Sequence, residues 1–299
     1  MKNTTVSLLA KGALLLATII WGTTFFIMEG VINNIGIYSL LAFRFTFAAV
    51  LLAIILFKSL KKIDFGYIWR GMILGVLVIT AYIFQTYGLA DAQTTPGKNA
   101  FLTAIYCILV PFIFWGITKN RPDRYNIIAA ILCLFGITLV SSSGNDFKSI
   151  CVGDALTLLG GIFFAFHMVC VSIFSKNRDV LLLTMLQFLF AGICAFVPAM
   201  FLEKLPSAIP SGTIFAVIYL ALFATCLCYI LQNVGQKYTE PSSAALILSL
   251  EAVFGVIFSI IFTNEILTFK LFTGFAIIFI AILISELKPK FPKKKVERL

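Results

Sequence analysis

"SSAALILSLEAVFGVIF", residues Ser242 to Phe258, is apolar almost throughout, yet Glu251 sits near its middle. The stretch belongs to an apolar run at about 241–262. A helix that crosses a bilayer needs roughly 20 mostly apolar residues, so this run is long enough to span one. A carboxylate at that depth costs about 2.5–3.5 kcal/mol to place. The cost falls when the carboxyl is neutral or when it borders water rather than lipid. The run therefore predicts a membrane helix, and its one acid predicts either a wet interior or a hydrogen-bonded structural carboxyl.

Similar runs recur along the chain. They lie at about 10–28, 37–57, 70–90, 96–118 and 125–142, then at about 152–174, 180–202, 212–235, 241–262 and 270–287. The chain has 299 residues, 61% hydrophobic and 12% charged, whereas soluble domains carry about 25% charged residues. The expected class is all-α: a polytopic membrane protein of ten transmembrane helices with short loops and no soluble domain. The first run follows Lys2 and Lys11 and has the look of a signal peptide, but nine further runs make it a retained first helix.

Basic residues collect on the cytoplasmic face of membrane proteins. Here all the Lys and Arg residues fall on one side of the map except Lys98, Lys148, Lys204 and Lys270 on the other, and Arg44 inside a span. Both termini are then expected in the cytoplasm, and the net charge of +10 reads as a topology signal. No basic-and-aromatic module outside the membrane points to nucleic acid. The basic tail, 289–299, also suits contact with anionic lipid headgroups. Seven cysteines are present, six of them within spans and Cys151 at the start of the sixth. Such a set at lipid depth makes no disulfide framework, and the cysteines read as small packing residues.

The chain is also written twice. "FRFTFAA" around Arg44 pairs with "LQFLFAG" around Gln187 at an offset of 143, which also sets Trp21-Gly22 on Phe164-Ala165. In the third and eighth spans Tyr82, Gln85 and Gly88 match Tyr229, Gln232 and Gly235 at an offset of 147. Pro96 matches Pro241 at an offset of 145, and Tyr106 then falls on Glu251. With five helices per copy, the second copy enters the membrane from the opposite side. The predicted units are residues 8–142 and 150–288, followed by the tail. Inverted repeats of this kind build transporters with the site near mid-bilayer between the halves.

Polar residues at depth gain meaning when they share a helix face. The eighth span carries Thr225, Tyr229, Gln232, Asn233 and Gln236 as one stripe, and the third repeats it as Tyr82, Gln85 and Thr86. The fourth offers Asn99, Thr103 and Tyr106, the first Trp21 with Thr24, and the sixth Phe163, His167 and Cys170. The plainer alternative is that such groups merely hydrogen-bond neighbouring helices, at about 0.6 kcal/mol each. Glu251 is the candidate for proton coupling or for anchoring a cationic group. His167 reads equally as a packing residue, Arg44 and Gln187 as structural polar groups, and Trp21 as stacked on a substrate or simply packed. Pro111 is expected to bend the fourth helix.

Several of these segments resemble one known family. "WGTTFF" (Trp21–Phe26), "FRF" (Phe43–Phe45), "TTPGKNAFLTAIYCILVP" (Thr94–Pro111) and "SLEAVFGVIFSIIFTNE" (Ser249–Glu265) are similar to the EamA family of the drug/metabolite transporter superfamily. The resemblance runs from about residue 10 to 287 as two such halves. It implies a central cavity lined by helices one, three, four, six, eight and nine, and export of a small metabolite across the plasma membrane.

Other classes fit poorly. No filter loop suggests a channel, and one histidine without HExxH or GxSxG leaves no enzyme centre. No P-loop or soluble domain drives a pump. No metal site or cofactor is expected, and one chain suffices to enclose a pathway, with a dimer left open. No buried basic cluster awaits a phosphate, so nucleotide-sugar-type solutes are a weaker alternative. The span from Ala10 to Met28 holds no acid of the kind the small multidrug members use for drug-like cations. The expected partner besides lipid is a neutral or zwitterionic small molecule such as an amino acid, carried by alternating access. The other alternative is a membrane receptor or scaffold without transport.

Overall fold

A computed structural model of the chain describes residues 2–119, 121–141, 151–204, 208–263 and 266–287. The basic tail, Lys148 and Lys288 lie outside the described residues. Within them the fold is entirely helical. In chain order the α-helices are α1 (Lys2–Ile32), α2 (Ile37–Ile55), α3 (Phe65–Leu89), α4 (Pro96–Thr103), α5 (Tyr106–Thr118) and α6 (Arg124–Ser141). They continue as α7 (Val152–Phe174), α8 (Val180–Leu202), α9 (Ser211–Tyr219), α10 (Cys228–Lys237), α11 (Pro241–Thr263) and α12 (Phe269–Leu287). A 3₁₀ turn, Phe57–Lys62, joins α2 to α3, and a π-helical segment, Leu220–Leu227, joins α9 to α10.

Eight spans among the described residues are long and apolar enough to cross a membrane; α4–α5 and α9–α10 each count as one. The remaining two expected spans are represented by the shorter apolar segments Arg124–Gly136 of α6 and Phe269–Ala281 of α12. The expected count of ten thus stands at eight by length and composition. The exterior is apolar in keeping with lipid: Val50, Ile54, Ile131, Leu134, Met200, Phe215 and Ile261 are all exposed. The interior is where the polar residues went, with Arg44, Asn99, Asp154, His167 and Gln187 completely buried.

Local chemistry starts the helices. Asp64 caps α3 by accepting from the Tyr67 N–H at 2.8 Å. Thr95 caps α4, with Pro96 at the position where a missing N–H is harmless. Asp179 caps α8 through the Leu181 N–H at 3.0 Å. Pro111 does not simply bend its helix. It lies inside α5, and the span is interrupted earlier, at Ala104–Ile105. Tyr106 thereby becomes the first residue of a new helix.

The helices pack across the boundary between the two expected halves: α2 on α8, α3 on α7 and α8, α1 on α10 and α11, α4 on α11, and α6 on α12. Close approach along α3 relies on small residues. A Cβ on Gly160 of α7 would stand 2.9 Å from the Ala81 carbonyl oxygen, and one on Gly75 would stand 2.7 Å from that of Gln187. Substituting leucine for Gly160 is expected to force α3 and α7 apart, lowering stability by about 1–3 kcal/mol in a thermal-unfolding comparison.

Both ends of this packing are tied. At one end Arg178 pairs with Asp64 at 2.8 Å, and the Asp179 N–H donates to the Tyr67 hydroxyl at 2.8 Å. The Tyr67 N–H, and then Arg178, hold the Asp64 carboxyl below its ordinary value. Because the folded value is the lower one, this tie adds stability above the usual carboxylate range and loses it as pH falls through the folded value. At the other end Lys98 of α4 and Asp154 of α7 form a buried ion pair at 2.8 Å. The sequence marks Lys98 as an outlying surface charge; its ammonium is in fact buried against a carboxylate.

Candidate functional site

Six segments converge on an internal cavity at the middle of the bundle. Trp21, Thr24 and Phe25 come from α1, Tyr82 and Gln85 from α3, and Tyr106 from α5. Phe164 and Met168 come from α7, Tyr229 and Gln232 from α10, and Leu248 and Glu251 from α11. Trp21 and Thr24, Trp21 and Phe25, Tyr82 and Gln85, Phe164 and Met168, Tyr229 and Gln232, and Leu248 and Glu251 are three or four apart, the spacing that stacks side chains on one face. The space open to the centre of a water molecule is about 30 Å³. At about 10–15 Å³ per water it holds about two waters and no metabolite, so this is a closed arrangement of the site.

Glu251 is buried on the wall, and its Oε1 accepts from the Tyr106 hydroxyl at 3.1 Å. Tyr82, Tyr106, Cys228 and Tyr229 are the titratable groups within electrostatic reach of it. Among the described residues no basic side chain forms an ion pair with Glu251.

Trp21 is pinned. Its indole N–H donates to the Ala224 carbonyl at 2.7 Å, inside the π-helical segment, and its ring meets Tyr229 edge-on with centroids 5.2 Å apart. A π turn loosens the carbonyl ladder, and such turns gather at functional sites. Here the same turn also lets the Thr225 hydroxyl donate to the Leu220 carbonyl, five residues back, at 2.8 Å. Phenylalanine in place of Trp21 leaves the Ala224 carbonyl without that donor. A loss of about 1–3 kcal/mol is expected in thermal unfolding.

The other expected site residues stand one layer behind the wall. Thr103 accepts from the Gln85 amide at 3.0 Å and donates to the Asn99 carbonyl at 2.8 Å. The Asn99 amide donates to the Gln85 carbonyl at 3.1 Å and to the Thr157 hydroxyl at 2.7 Å. These residues orient Gln85 rather than line the cavity, because α4 turns them toward α3 and α7. His167 does not reach Glu251. Its Nε2 shares a hydrogen bond with the Gln187 side-chain oxygen at 3.0 Å, and its ring meets the edge of Tyr229 at 5.9 Å. Asn233 donates to the Thr184 hydroxyl at 2.9 Å. Arg44 is also behind the wall. Its Nε donates to Thr225 at 3.0 Å, its Nη1 to the Met28 sulfur at 3.3 Å, and its guanidinium lies 5.0 Å from the Tyr82 ring centre.

Sequence reasoning missed Phe25, Phe164, Met168 and Leu248 on the wall, Thr157 behind it, and Asp154 at the Lys98 end of α7. The apolar four carry no signal that separates a cavity face from a packed one. Asp154 was visible as an intramembrane acid in the first turn of a span.

The sequence profile of the EamA-like transporter family matches residues 9–142 and again residues 152–287. The chain belongs to this family. An uncharacterized transporter of Archaeoglobus fulgidus is 31% identical over 94% of this chain and 87% of its own. The uncharacterized inner membrane transporter YedA of Escherichia coli is 25% identical over 79% of this chain and 80% of its own. A protein of known crystal structure superposes on 95% of this chain and 97% of its own with a TM-score of 0.69, at 14% identity, a likeness of fold alone. This EamA-family chain is accordingly a multi-pass membrane protein of a transporter family, and the relatives from Archaeoglobus fulgidus and Escherichia coli are named as transporters rather than enzymes.

Proposed function

We propose that this EamA-family protein is a secondary transporter that exports a small neutral or zwitterionic metabolite, such as an amino acid, by alternating access to the cavity around Glu251. The reading takes residues 8–142 and 150–288 as two upside-down copies of a five-helix unit, ten spans in all. Both termini and the basic tail then lie in the cytoplasm, and the membrane is the plasma membrane. One chain encloses the site.

A single observation carries it: residues at equivalent positions of the two copies touch each other. Tyr106 hydrogen-bonds Glu251, the Tyr82 and Tyr229 rings stand 6.3 Å apart, and the Phe45 and Phe188 rings 6.0 Å apart. In a two-fold arrangement only residues near the axis meet their own mates. The axis therefore passes beside the cavity. Helix packing supports the same symmetry, since α3 on α7 mirrors α1 on α10, and α1 on α11 mirrors α5 on α7. Two near-equivalent halves can exchange conformations, opening one site to each side in turn. On this reading Glu251 carries the proton. Transport in proteoliposomes across an imposed pH gradient tests it, comparing wild type with Glu251→Gln. The gradient should drive flux in wild type and leave the variant unmoved; identical responses end the coupling role of Glu251. Comparison of medium and cell metabolites with and without overexpression identifies the solute.

A further inference from the structure

We propose that the groove between α2 and α8 is a binding site for one phospholipid whose headgroup carries a primary amine. One acyl chain lies along the groove and the ammonium sits at Glu203. The site stands whether or not the chain is a transporter.

The shape comes from the helix crossing. α2 and α8 meet at Thr46 and Gly192, where a Cβ on the glycine would stand 3.1 Å from the Thr46 nitrogen. Beyond that crossing the small side chains of Ala42 and Ala199 leave a trough. Phe43, Phe47, Phe196 and Met200 wall it, and it ends at Ser39 and Glu203. The space open to the centre of a water molecule is about 610 Å³, against about 30 Å³ in the closed central cavity. The four wall residues are exposed, so in a membrane the trough faces acyl chains. From Ser39 to Val50, both on the groove, α2 rises about 16 Å. That is close to half of the roughly 30 Å hydrocarbon layer. The groove is one leaflet deep, the reach of a single acyl chain.

The rim supplies the selectivity. Glu203 closes the C-terminus of α8 and caps the neighbouring α2. Its Oε1 accepts from the Tyr38 N–H and its Oε2 from the Ser39 N–H, each at 2.8 Å. A carboxylate has about four lone-pair sites, so two backbone donors leave capacity for an ammonium. Tyr38 and Tyr87 lie near helix ends with ring centroids 5.8 Å apart, and Tyr87 is within electrostatic reach of Glu203. Aromatic side chains gather at headgroup depth, and their rings attract cations. Lys204, next in the chain and exposed, suits the lipid phosphate. A second copy of the chain fits the groove less well. In a two-fold dimer within one membrane equal depths meet across the axis, which sets one Glu203 carboxylate beside the other.

The test is native mass spectrometry of the full-length purified chain, titrated with phosphatidylethanolamine, phosphatidylcholine and phosphatidylglycerol of identical acyl chains. The first adduct should favour the ethanolamine lipid over the glycerol lipid about fivefold, the effect of one partly exposed ion pair. The choline lipid should fall below the ethanolamine lipid, because its quaternary nitrogen has no N–H for the carboxylate. Glu203→Gln should level the three. Ala199→Trp fills the trough, leaves Glu203 in place and should abolish the selective adduct; it decides the matter if the Glu203→Gln chain does not fold. Equal first adducts of the three lipids in wild type identify ordinary boundary lipid and overturn the proposal. So do a preference for the choline or glycerol lipid, selectivity that survives in a folded Glu203→Gln or Ala199→Trp chain, and dimers that Ala199→Trp dissociates.

Discussion

Alanine at position 154 leaves the Lys98 ammonium buried beside no countercharge, and a loss of about 3–5 kcal/mol is expected. The pair is 2.8 Å long and inaccessible to solvent on both sides, so neither screening nor water can compensate. Thr94, which lies 3.4 Å from Asp154 Oδ1, offers only a hydroxyl. Replacing both members, as Lys98→Met with Asp154→Leu, removes the desolvation cost together with the attraction and should return most of the lost stability. The two measurements are thermal or denaturant unfolding of the singles and the double. Function should separate from stability in the double variant. Lys98 lies in the first turn of α4 and Asp154 in that of α7; on the proposed reading these helices belong to opposite halves, and the pair parts when that end opens. Charged groups hydrate when parted and methionine and leucine do not. The stable double variant is therefore expected to transport about tenfold more slowly, a barrier increase of about 1.4 kcal/mol.

Exchange of Tyr106 and Glu251 has the second large effect. Glutamate at 106 in an otherwise unchanged chain brings a second carboxyl to the side of the cavity that faces Glu251, where the two disfavour each other's ionisation. Tyrosine at 251 removes the only carboxylate on the wall among the described residues. Each single change should nearly abolish flux. On the proposed two-fold reading the two positions are mates beside the axis, and the double exchange rebuilds the hydrogen bond from the opposite helix. It should recover a substantial part of the flux, with a coupling of about 0.5–3 kcal/mol between the sites. Independent, additive losses would mean that the two positions are not equivalent.

The offsets that pair Tyr82 with Tyr229 and Tyr106 with Glu251 were legible in the chain because side-chain identity and spacing survive duplication. Helical periodicity groups Trp21 with Thr24, Tyr82 with Gln85 and Tyr229 with Gln232, pairs that share the cavity wall, because it fixes the face a residue shares; the cavity itself was implied by the family resemblance. Periodicity says nothing about what lies one layer deeper. Asn99 and Thr103 share the stripe of Tyr106, but the break at Ala104–Ile105 rotates them onto Gln85 and Thr157. The π segment at Leu220–Leu227 was invisible for a related reason. It accepts a tertiary bond from Trp21, and no local residue pattern announces it. The Lys98–Asp154 pair joins distant segments, and each charge alone suits a helix start. Its burial emerges only when α3, α4 and α7 pack.

The central claim is that one cavity serves both sides of the membrane in turn. Its most direct measurement places a single cysteine at position 232 of a chain whose seven native cysteines are replaced, in sealed vesicles of known orientation. A membrane-impermeant thiol reagent is added to one side, then in a separate sample to the other. The account predicts labelling from each side, with a ligand that fills the cavity protecting position 232 in both cases. Labelling from neither side in a chain that still transports, or labelling only by a lipid-soluble reagent, would contradict it.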